Sequence, residues 1–131
     1  MISSQHFNFF QAIESAIILW RAYYLVQRSG AMELESFLSV VADKHLSKFE
    51  ILHHMRFLAA IAPVDITCLM RSAALTYALR KANYDAHLII GISWQPFASH
   101  AWVEVDGQAF SDSLRNIAAY QRMQVIPKAF D

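Results

Sequence analysis

The fold is decided by TCLMRSAALTYALRKANYDAHLIIGISWQPFASHAWVEVDGQAFSD, residues 67–112. Its first third has helical periodicity. Thr67 reads as an N-cap, Pro63 lies shortly before it, and the helix runs from Cys68 to about Ala82. Ser72, Thr76 and Arg80 fall on one side of this helix; Met70, Ala73, Ala74, Tyr77 and Ala78 fall on the other, small enough to pack against a sheet. The period then changes to alternation, with Leu88, Ile90 and Ile92 along one face of a strand from about Ala86 to Trp94. Gly91 in mid-strand marks a bulge or the close approach of another backbone. Gln95 to Ala98 reads as a connection, His100 to Val105 as a second strand, and Gln108 to Asp112 as a third. The expected class is α+β, with a cysteine-bearing helix on a small antiparallel sheet.

The register of the last hairpin determines what meets what. A three-residue loop of Val105, Asp106 and Gly107 would pair Glu104 with Gln108, which puts Trp102 opposite Phe110 and His100 opposite Asp112 on one face. A two-residue Asp106-Gly107 turn would pair Val105 with Gln108 and send His100 and Asp112 to opposite faces. The three-residue loop is the expected register. A final strand spans about Tyr120 to Ile126 and ends at Pro127.

Upstream of Thr67 the chain reads as helices. From Asn8 to about Arg28 apolar residues cover more than one stripe, until Ser29-Gly30 closes the pattern. Gln11, Glu14, Arg21 and Gln27 interrupt it, and there is neither a basic n-region nor a small-residue cleavage site, so it is neither a membrane span nor a signal peptide. It reads as a central core helix, or as one that keeps a face for a protein or membrane contact. A second helix, about Met32 to Asp43, has Leu34, Phe37, Leu38 and Val41 on one side. Ser47-Lys48-Phe49-Glu50 has the form of a capping box opening a third helix, whose stripe is Leu52, Met55 and Ala59 and which Pro63 ends. His53, His54 and Arg56 read as solvated or snorkelling.

The chain has 131 residues, of which 56% are hydrophobic, enough for one domain over residues 1–131 with one core. Eleven basic and eleven acidic side chains balance without a long run of either sign, which leaves no nucleic-acid footprint. One cysteine excludes an internal disulfide framework and fits a reducing cytoplasm. The six histidines form no metal pattern: adjacent His53 and His54 diverge on a helix, and no second cysteine exists for a structural zinc site. No metal or other cofactor is expected.

Three residues in the deciding stretch can form one active site: Cys68, His100 and Asp112. A thiol at a helix start lies near unpaired N–H groups and the positive end of the dipole, which favour the thiolate. A histidine takes and returns the proton, and a third group fixes the imidazole tautomer. The Cys68 backbone N–H is the natural oxyanion donor, with Gln95 a second candidate. Each residue also has a plain structural reading. A lone cysteine is commonly a buried hydrophobe, a strand histidine is commonly structural, and Asp112 would suit a solvated strand end.

The runs Thr67 to Leu75, Ala86 to Ile92 and Pro96 to Gly107, followed by Asp112, resemble the leader peptidases of lasso peptide biosynthesis, which are transglutaminase-like and broadly papain-like cysteine enzymes. The resemblance is specific from Thr67 onward and holds only in character before it. It implies that Cys68, His100 and Asp112 are the catalytic triad. The substrate it implies is a ribosomally made precursor peptide, cut between leader and core, whose freed core amine passes to a separate cyclase. Asn83 stands where the family often has glycine, and Asn also tolerates the left-handed region. Fused versions carry a leader-recognition domain in front, for which 131 residues leave no room, so a small separate leader-binding partner is implied. The first helix is a candidate docking face for it. Two other readings share these residues: an enzyme of the same superfamily that passes the acyl group to an amine, and a binding module on that fold that has lost activity.

Overall fold

The computed structural model describes residues 9–43 and 45–128. Its elements in chain order are α1 (Phe9–Ser29), α2 (Leu34–Leu38), α3 (Lys48–Ile61), α4 (Cys68–Lys81), β1 (Ala86–Trp94), β2 (Phe97–Val105), β3 (Gln108–Ala109), α5 (Leu114–Ile117) and β4 (Gln121–Ile126). The four strands form one antiparallel sheet in the order β3-β2-β1-β4. The expected α+β arrangement is therefore present.

The central helix is α4, which touches α1, α2, α3, β1 and β2. Its N-cap is the expected one, Thr67, whose hydroxyl accepts from the Met70 amide at 3.2 Å. The face it turns to the sheet includes the expected Ala73 and Ala74 but also the polar residues expected on the other side. Ser72 Oγ donates to Ala101 O at 3.2 Å and Arg80 Nη1 to Ala86 O at 2.9 Å, so the polar stripe lies on the strands. Tyr77 points instead to α1 and α2, where Arg21 donates to its hydroxyl and Phe37 stacks on its ring at 4.7 Å. Thr76 is tolerated in the core because its hydroxyl donates back to Ser72 O at 2.8 Å.

The core lies between α4 and one sheet face. Ala86, Leu88, Ala101, Val103 and Val105 pack there against Ala73, Ala74, Leu75 and Leu79. The first helix gives one side to the core, through Ile18, Leu19 and Ala22, and is exposed on the other. It buries Ala12, Ser15, Ile18, Leu19 and Ala22, with α3 and α4 as its neighbours, and leaves Phe10, Ile13, Ile17, Trp20 and Tyr24 exposed. Asn8, the expected first residue of this helix, is outside the described residues. Lys81 ties α1 to α4 through Glu14 at 3.0 Å. That hydrogen bond outweighs burial and raises the Lys81 pKa above the ordinary 10.5.

Two other helices depart from the sequence expectations at their ends. The second stops at Leu38, because Ser39 Oγ bonds back to Glu35 O at 2.7 Å and competes with helix continuation. Val41 is accordingly exposed. At α3, Ser47 occupies the N-cap position but its side chain makes no capping bond, so the capping box is not formed. The Lys48 amide is instead satisfied by Tyr84 Oη at 3.0 Å, and that hydroxyl donates to Leu46 O at 2.6 Å. His54 is buried, not solvated, with Nδ1 at 2.9 Å from Glu50 O.

The β2–β3 hairpin uses the two-residue turn, against the expected register. Val105 pairs with Gln108 and Glu104 with Ala109, and Asp106 and Gly107 both have positive φ (53° and 79°), as a primed turn requires. The ladder then breaks. Phe110 N and Ser111 N both donate to Val103 O, at 2.9 and 3.3 Å, while Val103 N donates to Ser111 Oγ at 2.9 Å. Two residues thus oppose one, as in a β-bulge, and the alternation of faces is reset before Asp112.

Candidate active site

Four residues of α4 separate Cys68 from Ser72, so both lie on the stripe that faces β2. The Arg80 and Ser72 contacts fix how helix and strand run. Ala86 pairs with Val105, so the two contacts are four residues apart on β2, about 13 Å, against eight residues of helix, about 12 Å. Helix and strand therefore run parallel, with Cys68 one turn N-terminal to Ser72 on that stripe. Cys68 is half-buried, packs against the core, and its thiol makes no hydrogen bond among the described residues. As the first helical residue it has an amide with no intrahelical acceptor. Gln95, the second oxyanion candidate, sits exposed in the β1–β2 turn.

His100 and Asp112 are brought together. Nε2 of His100 lies 2.6 Å from Asp112 Oδ2, and both side chains are largely shielded from solvent. The other carboxylate oxygen accepts from Ser113 N at 2.9 Å and Asn116 Nδ2 at 2.8 Å. Burial by itself raises the Asp112 pKa. The hydrogen bonds from His100, Asn116 and Ser113, with the attraction of His100, outweigh it and bring the carboxyl below its ordinary 3.8. An ionised carboxylate only accepts, so Nε2 carries the hydrogen between them, and Nδ1 is the ring nitrogen left for another partner.

The imidazole is braced by two aromatic rings that also touch each other, 6.3 Å apart. It stacks on Trp102 (centroids 5.9 Å apart, planes at 30°) and meets Tyr120 at 5.3 Å. Trp102 is itself fixed: Nε1 donates to Glu104 Oε2 at 3.2 Å, and buried Glu104 is paired with Arg122. Gly91, directly opposite His100, leaves the room this ring needs. A Cβ there would lie 2.8 Å from Trp102 Cη2 and 3.1 Å from Gln121 O. The β1–β4 register does shift at the Ile90–Gly91 step, but the extra residue is Met123 on β4, so what Gly91 itself allows is the close approach of the Gln121 backbone and the Trp102 ring.

A pocket of about 40 Å³ adjoins the pair at the open edge of β2. Its floor includes Leu52, Met55 and Leu75, and its rim includes Arg56, Arg71, His100 and Asp112. Cys68 lies outside this lining, one turn N-terminal to Ser72. Sequence reasoning missed Arg71, Tyr120, Ser111 and Asn116. Only Asn116 left a signal, in the Ser113-x-x-Asn116 spacing that caps α5, where Ser113 Oγ accepts from Asn116 N at 3.1 Å. Among the described residues no cluster of His, Cys, Asp and Glu could hold a metal ion, and no helix is long and apolar enough to cross a membrane.

A helix beginning on cysteine, packed along a strand whose histidine is held by a carboxylate, defines the class. The chain belongs to the transglutaminase-like superfamily, whose family model matches residues 17–125. It is similar to the microcin J25-processing protein McjB of Escherichia coli, 41% identical over 70 residues. That alignment covers 53% of this chain and 31% of McjB. No solved structure matches the chain significantly.

Proposed function

We propose that the protein is a cysteine peptidase that removes the leader from a ribosomally made lasso peptide precursor, with Cys68, His100 and Asp112 as its triad. One observation carries the chemistry: the His100–Asp112 hydrogen bond orients the imidazole and leaves Nδ1 for the thiol of Cys68, the first residue of the helix that packs along this strand. The substrate class rests on the resemblance of residues 67–112 to lasso leader peptidases and on the similarity to a protein named for processing a microcin.

In this mechanism Cys68 Sγ attacks the carbonyl carbon of the scissile bond while His100 Nδ1 takes the thiol proton. The oxyanion accepts a hydrogen bond from the Cys68 amide. The C–N bond breaks as Nδ1–H protonates the departing core amine, which leaves the leader as a thioester on Sγ. Water then attacks the thioester and gives a proton to Nδ1. The C–S bond breaks, the leader departs as a carboxylic acid, and the proton returns to sulfur. Asp112 holds the imidazole in the required tautomer and offsets the charge of the transient imidazolium. A separate leader-binding protein delivers the precursor, and a cyclase closes the freed amine onto an acidic side chain.

Mass spectrometry of precursor incubated with the protein, with and without the leader-binding partner, tests this reading. The expected result is leader and core whose masses sum to precursor plus one water, formed much faster with the partner. Equal rates without the partner reject the dependence on it. Transfer of the leader acyl group to an added amine in place of water rejects hydrolysis.

A further inference from the structure

We propose that the pocket beside His100 and Asp112 is a subsite for a carboxylate side chain of the peptide substrate, held by Arg56 and Arg71. The subsite as part of peptide recognition rests on the peptidase reading; its cationic character does not. Two guanidinium side chains line one small concavity, and among the described residues neither has a salt bridge. Arg56 is anchored at the rim by donating to Ser111 O at 3.3 Å, which leaves its other N–H groups available. Arg71 stands three residues after Cys68, on the adjacent helix surface.

The one carboxylate in the lining does not neutralise them. Asp112 directs Oδ2 to His100 and Oδ1 to Ser113 and Asn116, and it makes no ion pair with either arginine, so a single carboxylate faces two guanidinium groups. Two like charges at one rim repel, and an incoming carboxylate relieves that repulsion while accepting several N–H bonds in the fork geometry of guanidinium groups. The size agrees. A volume of about 40 Å³ holds roughly three waters, or one carboxylate in their place. The apolar floor suits the aliphatic stem of an Asp or Glu side chain.

The deciding experiment uses the single thiol as a reporter. Cys68 is alkylated with iodoacetate and with iodoacetamide at low ionic strength, and the ratio of the two rate constants is compared between wild type and R56Q/R71Q. Both reagents consume the same thiolate, so the ratio reads local charge and not thiol reactivity. The ratio is expected to fall about five- to tenfold in the double variant and to be retained in R71K. An unchanged ratio in R56Q/R71Q overturns the proposal. A second arm measures cleavage of precursors carrying Asp or its isostere Asn at each position around the cut. At one position Asp is expected to lower KM, an advantage lost in R56Q/R71Q. Cleavage with no position favouring Asp overturns the subsite as a specificity element. A fallen ratio with no cleavage of any precursor overturns the peptidase reading and supports the cationic subsite.

Discussion

Replacing Gly91 by alanine tests how closely the sheet and the candidate site are coupled. The backbone at Gly91 has ordinary negative φ, so the substitution is resisted by contacts alone. The new Cβ would sit 2.8 and 2.9 Å from two carbons of Trp102 and 3.1 Å from Gln121 O. The indole cannot swing into solvent: Trp102 is buried, and its Nε1 is tied to Glu104. Overpacking of this kind costs about 1–3 kcal/mol, and the lower entropy of the unfolded chain with alanine returns about 0.4–1 kcal/mol. The net loss is about 1–2 kcal/mol, a fall in Tm of roughly 4–8 °C for a domain of this size. Because Trp102 stacks on His100, the displacement also moves the imidazole, and a shift of about 1 Å in a catalytic group costs on the order of a hundredfold in rate. Thermal denaturation and cleavage rates of Gly91→Ala against wild type measure both effects. Unchanged Tm with unchanged rate would refute the claim that Gly91 makes room for the ring that braces His100.

Truncating the proposed triad should give graded losses: Cys68→Ala and His100→Ala abolish cleavage, by up to about 10⁶-fold, while Asp112→Ala weakens it less, by about 10⁴-fold, in single-turnover assays. Asp112 has a folded-state pKa below its unfolded value, so its contribution to stability is present above about pH 4 and lost as pH falls through the folded value. Urea midpoints of wild type and Asp112→Asn should therefore differ at pH 6 and converge toward pH 2; a constant difference would refute this. Tyr84→Phe removes the hydroxyl that serves both Lys48 N and Leu46 O, and should cost about 1–3 kcal/mol in chemical denaturation; a cost under 0.5 kcal/mol would show that water replaces it.

The helix from Cys68, the strand from Ala86 and the special place of Gly91 were legible because each rests on local pattern: a cap, a change of period, a missing side chain. Long-range partners were not. The Ser47 capping box has the right letters, yet its side chain makes no capping bond, and the contact that does serve the start of the helix, from Tyr84 to the Lys48 amide, comes from 36 positions onward. His54 looks like a surface histidine until its burial and the carbonyl one turn back are seen. Ser72 and Thr76 read as an outer polar stripe, since their acceptors, a carbonyl on another strand and one on their own helix, leave no mark in the local sequence. The hairpin is the most instructive case. The turn is the one that should have separated His100 from Asp112, yet they meet, because the doubled bond at Val103 O restores the face that the turn had reversed. A bulge without glycine or proline gives no sequence signal. The packing of Tyr120 and the rim position of Arg71 likewise arise only when distant segments fold together.

The account depends most on the Cys68 thiol as the nucleophile that His100 serves. Rapid-quench intact-mass measurement of the protein mixed with precursor and leader-binding partner tests this directly. The expected species is protein carrying the leader acyl group, appearing before free leader, labile to hydroxylamine as a thioester is, and absent from Cys68→Ala. Cleavage by Cys68→Ala at the wild-type rate, with no adduct in either protein, would contradict it.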